Sequence, residues 1–306
     1  MASSRADLVV LAGSSHPDLA RAIAIRLGAP LVRRTVDRFP DGELRVRIED
    51  DLRGRDVFLV QSICAPVGDH LLELLLLSDA CRRSGAARVT GVLPYLGYAR
   101  QERRDEPGIP LGARVVADAL SRALDRAVVV DLHSAAVEGF FSIPVEQVNA
   151  VAQMADAVRA DATNAVVVSP DLGAVKRAER FARLLGLPVA IVHKARVSGS
   201  EVSVSGVVGD VAGKAVIVFD DIISTAGTVE AAVGAVLQAG ALREVTICAT
   251  HGLFVGPAAR RMQTLPLKRV VVTDSLPRAA NAPEATEIVS LAGLLADTVQ
   301  RLGGGD

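Results

Sequence analysis

The sequence predicts an α/β protein made of two similar, doubly wound parallel-sheet domains. Three observations lead there. Strand, turn and helix alternate along nearly the whole chain, and one residue pattern occurs twice at a nearly fixed offset. The composition is 50% hydrophobic with only 3% aromatics, so the core must rest on Ala, Val and Leu. Strands buried on both faces read as continuous aliphatic runs, and Ala-rich helices can cover them closely.

Residues 8–12 form an apolar run that predicts a strand, residues 13–16 a turn, and residues 18–27 a helix stopped by Gly28-Ala29-Pro30. Residues 45–48 alternate outward arginines with inward aliphatics, and residues 57–61 read as a buried strand. A leucine stripe marks a helix over 68–84, followed by a strand over 89–93, a helix over 111–123 and a strand over 127–131. The rhythm then restarts, with a strand at 166–168, a helix over 174–185, Gly186-Leu187-Pro188 and a strand over 189–192. Val9/Val167, Ala20/Ala178, Ala24/Ala182, Leu27/Leu185, Gly28/Gly186 and Pro30/Pro188 share one offset, and 52–57 matches 211–216. Duplication is the natural reading, with domains at 1–149 and 150–306 and the last helix able to pack back on the first domain.

The second copy contains the stretch about which the rest is arranged, residues 215–228, AVIVFDDIISTAGT. Val216–Phe219 begins it as a buried strand, and Ser224-Thr225-Ala226-Gly227-Thr228 leads into a helix over 229–239. A strand, a small-residue turn and a helix start make a phosphate cradle, because backbone N–H groups and the helix dipole face the anion. Gly227 allows close backbone approach. Asp220-Asp221 beside the cradle would repel a bare phosphate, so they point to a ligand carrying hydroxyls or a cation next to its phosphate, such as a sugar phosphate. The matching part of the first copy reads Gln61-Ser62-Ile63-Cys64-Ala65-Pro66, without acids or glycine. Only the second half therefore keeps the site.

Other features bound the function. A net charge of -1 gives no basic field for nucleic acid. Cys64, Cys81 and Cys248 lack metal-site spacing and read as reduced, buried thiols. The start MASSRADLVV lacks the apolar core of a signal peptide, and no stretch is long and apolar enough to span a bilayer. A cytoplasmic protein without nucleic-acid or membrane partners is expected.

Charged groups also gather where strands end. Phe39-Pro40-Asp41-Gly42-Glu43 is placed before an alternating strand pair and has the composition of an exposed turn; alone it reads as a hairpin connection. PYLGYARQERR (94–104) follows a strand; its arginines could meet a polyphosphate or a base, or form a solvated basic loop. DLHSAAVEGFF (131–141) closes another strand, where a lone His133 is more often structural than a ligand. Ser169-Pro170-Asp171 and His193-Lys194-Ala195-Arg196 repeat the pattern.

Taken together, FPDGE, PYLGYARQER, DLHSAAVEGFF, VVSPDLGAVKRA, the KAR triplet and DDIISTAGT resemble, in order and spacing, the phosphoribosyl diphosphate synthetase (ribose-phosphate diphosphokinase) family. The resemblance covers nearly the whole chain and implies two domains of the type I phosphoribosyltransferase kind. It implies transfer of the β,γ-diphosphate of Mg-ATP to the 1-hydroxyl of ribose 5-phosphate, leaving AMP, in nucleotide biosynthesis. By resemblance Lys194 and Arg196 are catalytic, on a mobile loop that closes over the β-phosphate. Phe39, Asp41, Gly42, Glu43, Arg100 and Gln101 match ATP-binding positions, with Arg100 stacking on adenine opposite Phe39. His133 and Asp171 match Mg²⁺-associated positions. Arg196, Asp220, Asp221 and Ser224, Thr225, Ala226, Gly227 and Thr228 match the ribose 5-phosphate site. Asp41 and Glu43 resemble residues that reach ATP on a neighbouring subunit, so a homo-oligomer with a shared ATP site is implied.

The chain departs from the family pattern in places. Ser224 stands where many members have a third acid, and Ala136 where Gln or Ser is usual. Residues 104–108 are less basic than in members regulated by ADP and phosphate, and Val197-Ser198-Gly199-Ser200 replaces a more basic run. Two rival readings fit less well. A phosphoribosyltransferase would leave FPDGE and YARQ unused. A non-catalytic regulatory relative should have lost Lys194, Arg196, Asp220 or Asp221, and all four are present.

Overall fold

A computed structural model of the chain describes residues 8–198 and 201–303; the side chains of residues 194–205 lie outside that description. The chain divides into two compact units. One holds the chain as far as Asn149 together with Ser275–Pro277 and the chain from Leu291; the other holds Ala150–Asp274 and Arg278–Ser290.

The first unit begins with β1 (Leu8–Ala12) and α1 (Pro17–Leu27). Pro17 suits the first helical turn, where its missing N–H is no loss, and the His16 ring caps the helix by accepting from Leu19 N at 3.4 Å. Gly28 ends α1 with φ 61°, a left-handed conformation that costs glycine nothing. Its counterpart Gly186 does the same with φ 68°, which explains why glycine stands at both positions of the repeat. Then come β2 (Arg34–Arg38), β3 (Leu44–Ile48), β4 (Asp56–Val60), α2 (Val67–Arg83), β5 (Arg88–Leu93), α3 (Gly112–Ala123), β6 (Arg126–Val130) and β7 (Val145–Val148). The sheet order is β1-β4-β5-β6-β7, all parallel, with β2 and β3 as a separate antiparallel hairpin. Leu11, Leu59, Leu74, Leu77, Leu93 and Val129 lie at the centre of its core.

The second unit runs α4 (Val151–Val158), β8 (Ala165–Ser169), α5 (Val175–Leu185), β9 (Val189–Ser198), β10 (Glu201–Val208), β11 (Ala215–Ile223), α6 (Gly227–Gln238), β12 (Val245–Gly252), α7 (Ala258–Gln263), β13 (Leu267–Thr273) and β14 (Thr286–Val289). Its sheet order is β10-β9-β8-β11-β12-β13-β14, parallel except where β10 pairs with β9. The final helix, α8 (Ala292–Gly303), belongs to the first unit and packs on α1.

The two sheets repeat one topology, since β8-β11-β12-β13-β14 matches β1-β4-β5-β6-β7. The copies differ at β9. In the second unit this strand joins the sheet beside β8, whereas in the first its counterpart is a single bridge, Val10 to Leu31, before the chain leaves as the detached β2–β3 hairpin.

Three boundaries differ from the sequence reading. The strand expected at 189–192 continues to Ser198 and pairs in an antiparallel hairpin with β10, so Lys194 lies within a strand and not at its end. Aliphatic and polar residues alternate through 194–198 and 201–205, a pattern that suits such pairing. β11 likewise runs past Phe219 to Ile223. FPDGE joins β2 to β3 and does not precede the pair.

Candidate active site

The site in the second unit is built at the carboxyl ends of β8 and β11, the edge where open α/β sheets receive ligands. Neighbouring side chains of a strand leave the backbone on opposite faces. Asp221 and Ile223 are accordingly buried, while Asp220 and Ile222 are half-buried. The Asp221 carboxylate is turned inward onto Arg177 of α5, with Nη1 to Oδ2 at 2.8 Å and side-chain exposures of 26% and 4%. Asp220 Oδ1 accepts from Asp221 N at 2.8 Å. Burial pushes the Asp220 carboxyl well above its ordinary value, and the charge of Asp221 and that of Asp171 push the same way. Asp171 is oriented by its own loop: its Oδ1 accepts from Ala174 N at 3.1 Å, and its carbonyl accepts from Ser169 Oγ at 2.8 Å.

The loop Ser224–Thr228 follows. Ala226 has φ 60°, a left-handed value unusual for a residue with a Cβ, and it caps α6 without a side-chain oxygen to satisfy the first N–H groups. Loop carbonyls are drawn to one side. Leu253 N and Phe254 N donate to Ile223 O at 2.9 and 3.2 Å, and Val255 N donates to Ser224 O at 3.0 Å. Arg261 Nη1 donates to Thr225 O at 3.0 Å, and its Nε lies 3.1 Å from Glu230 Oε2. The strand, turn and helix start expected from the sequence are present, with Arg261 as an unforeseen neighbour of the loop.

Lys194 and Arg196 lie on β9, and their side chains are outside the described residues, as are Gly199 and Ser200 altogether.

In the first unit, FPDGE is a tight hairpin turn. Gly42 N donates to Phe39 O, Phe39 N to Glu43 O (both 2.9 Å), and Glu43 N to Asp41 Oδ1 at 3.1 Å. Gly42 takes φ 94° to close it. Phe39, Asp41 and Glu43 are exposed, and the guanidinium over the Phe39 ring is that of Arg45, 5.3 Å from its centre. Arg45 is held by Asp37, which lowers the Asp37 carboxyl and raises Arg45. Arg100 and Gln101 are exposed after β5, with Gln101 fixed through its backbone to Tyr98 O and Ala113 N. A Cβ at Gly112 would lie 2.4 Å from Gln101 Oε1, so any larger residue there would displace the Gln101 amide. His133 follows Asp131, a residue at φ 40°, and is half-buried.

The degenerate copy of the sugar-phosphate site is closed by its own hydrogen bonds. Gln61 and Ser62, at the positions of Asp220 and Asp221, are fully buried. Gln61 Oε1 accepts from Ser15 N at 3.0 Å, and Ser15 Oγ accepts from Ser62 N at 2.8 Å. A Cβ at Gly13 would sit 2.2 Å from Gln61 Oε1, so the first loop lies against the amide.

Among the described residues no three His, Cys, Asp or Glu side chains converge as a metal cage. Mg²⁺ does not need one, since it keeps several waters and uses one or two carboxylates. Asp171, in a cluster rich in negative charge, fits such a cation; the imidazole of His133 fits a water or phosphate contact better than direct ligation.

Two cations have no role on sequence grounds. Arg177 falls within VVSPDLGAVKRA, six residues after Asp171, which is the one signal that marks it. Arg261 lies on a helix without a motif, and nothing near it in sequence points to the loop.

Comparisons with known proteins agree over nearly the whole chain. A family model described as the N-terminal domain of ribose phosphate pyrophosphokinase matches residues 8–123, and one described as a phosphoribosyl synthetase-associated domain matches 197–306. The ribose-phosphate pyrophosphokinase of Aquifex aeolicus is 42% identical over 296 residues, covering 96% of this chain and 95% of the relative. That of Campylobacter jejuni is 40% identical over 295 residues, with the same coverage. The crystal structure of phosphoribosylpyrophosphate synthetase from Mycobacterium smegmatis superposes with a TM-score of 0.90 at 38% identity, covering 97% of this chain and 98% of that one.

Proposed function

The chain belongs to the ribose-phosphate pyrophosphokinase family, and from that premise we propose how its residues divide the reaction. The enzyme transfers the β,γ-diphosphate of ATP to the 1-hydroxyl of ribose 5-phosphate, giving 5-phosphoribosyl 1-diphosphate and AMP. The sugar O1 forms a bond to the β-phosphorus as the bond from that phosphorus to the bridging α-oxygen breaks. Charge spreads over phosphate oxygens in the transition state, so catalysis is mainly positioning and supply of cations.

The observation that carries the assignment is the β11–α6 cradle with Asp220 at its side. Ser224 to Thr228 hold the 5-phosphate, and the ribose hydroxyls fall to Asp220 first, because Asp221 is committed to Arg177. Lys194 and Arg196 supply positive charge to the transferring phosphates. Phe39, Asp41, Gly42, Glu43, Arg100 and Gln101 hold ATP. Asp171, with His133 as a water or phosphate contact, would hold Mg²⁺, which when bound neutralises polyphosphate charge. Asp41 and Glu43, exposed at a hairpin tip, serve a neighbouring copy's ATP in a homo-oligomer. No helix among the described residues is long and apolar enough to cross a membrane, and a cytoplasmic location suits both substrates.

The test is an ATP assay with Mg²⁺, run with and without ribose 5-phosphate. AMP and 5-phosphoribosyl 1-diphosphate should appear together only when the sugar is present. ADP as the main product would refute the reading.

A further inference from the structure

The phosphate loop combines a strained residue with a cation that grips the peptide next to it. Ala226 holds φ 60°. For a residue with a Cβ, that conformation disfavours the loop by about tenfold relative to glycine. The preceding carbonyl, Thr225 O, accepts from Arg261 Nη1 at 3.0 Å, and the same guanidinium reaches Glu230 in the first turn of α6 at 3.1 Å. Gly227 leaves room for this, since a Cβ there would lie 3.0 Å from Arg261 Nη1. Arg261 thus ties the peptide before Ala226 to the helix after it, and the Thr225 peptide cannot rotate without breaking the contact.

We propose that Arg261 is a positioning residue for the 5-phosphate of ribose 5-phosphate, acting by holding Ala226 in its left-handed conformation so that the loop is shaped before the anion arrives. The inference rests on the reading that Ser224–Thr228 bind that phosphate. It assigns a role to a residue of α7 that lies outside the loop itself. Preorganisation of this kind acts on binding of the sugar phosphate and leaves ATP untouched.

The test is a cycle of Arg261→Gln and Ala226→Gly, with Thr228→Ala as a control on the loop. Ribose 5-phosphate binding is read by calorimetry, KM values for both substrates by the AMP assay, and folding by thermal melts. Arg261→Gln should weaken ribose 5-phosphate about tenfold in Kd and KM, with the ATP KM unchanged. Adding Ala226→Gly to Arg261→Gln should recover most of that loss, because glycine enters the left-handed region without the steric cost that alanine meets there. Failure of Ala226→Gly to recover it would overturn the proposal, as would normal ribose 5-phosphate binding by Arg261→Gln. Should Arg261→Gln alone be too unstable to measure, the double variant still decides: ribose 5-phosphate binding near the parent's supports the clasp, and binding tenfold weaker overturns it. Normal binding by Thr228→Ala would instead overturn the loop reading, and this inference with it.

Discussion

Replacing Arg177 by Met should destabilise the second unit by about 2–3 kcal/mol. The partner left behind, Asp221, has a side chain only 4% exposed, and the pair distance is 2.8 Å. Removing one member of a buried ion pair typically costs about 3–5 kcal/mol, because the remaining charge keeps its desolvation penalty. Arg177 is 26% exposed, so water already screens part of the attraction, and the lower figure follows. Adding Asp221→Asn to the Met variant should return stability to within about 1 kcal/mol of the parent, since an amide is far cheaper to bury than a carboxylate whose arginine has been removed. An internal control is available in Arg21→Met, whose partner Asp18 is 81% exposed, where the cost should stay below about 1 kcal/mol. Urea unfolding followed by circular dichroism measures all four proteins. A loss under about 0.5 kcal/mol for Arg177→Met, or a double variant no better than the single, would refute the argument from burial.

Three further outcomes are expected. Lys194→Ala should lower turnover about 10²- to 10³-fold with little change in the ribose 5-phosphate KM, by analogy with loss of a transition-state donor; a raised KM at near-normal turnover would contradict its role. Mixing inactive Asp41→Ala/Glu43→Ala protein with inactive Lys194→Ala protein should restore activity after subunit exchange, because one shared site then carries neither defect; no recovery despite verified exchange removes Asp41 and Glu43 from the neighbour's site. Burial opposes the charge of Asp161, but hydrogen bonds from Lys268 and Arg269 outweigh it and hold the carboxyl below its usual value. Its stabilisation is therefore complete above about pH 4 and lost as pH falls through the lowered native value. The stability gap between parent and Asp161→Asn should hold above about pH 4 and shrink as the pH is lowered from there, and a constant gap in urea melts would count against the assignment.

Much of this architecture was legible because its signals are local. Aliphatic runs such as Leu8–Ala12, and glycines that must be left-handed such as Gly28 and Gly186, carry their reason within a few residues. The repeat offset then supplied the topology. Where the reading stopped short, distant partners decide the structure. β9 extends through Lys194 and Arg196 because β10 pairs with it. The two adjacent aspartates look equivalent in sequence, but the strand's two-residue period sends one inward to Arg177. Arg261 meets Thr225 across 36 positions, a contact no local pattern announces.

The return of α8 to the first unit has a consequence for synthesis. Between Asn149 and Leu291 the ribosome must add about 140 residues, roughly 7–28 s of translation at about 5–20 residues per second. During that interval the nascent first half lacks Leu295 and Val299, fully buried in the finished protein, and the Arg301 partner of Glu146 at 2.8 Å. The second half can complete its own sheet by Val289 and so can close before the half that was made first. Nascent chains extended after residue 290 by a linker that fills the ribosomal exit tunnel, and stalled there, should then resist protease in their second half and be cut in their first, with protection of the first half appearing only after α8 has emerged. Equal protection of both halves in the stalled chain would show that the early half folds without waiting for its last helix.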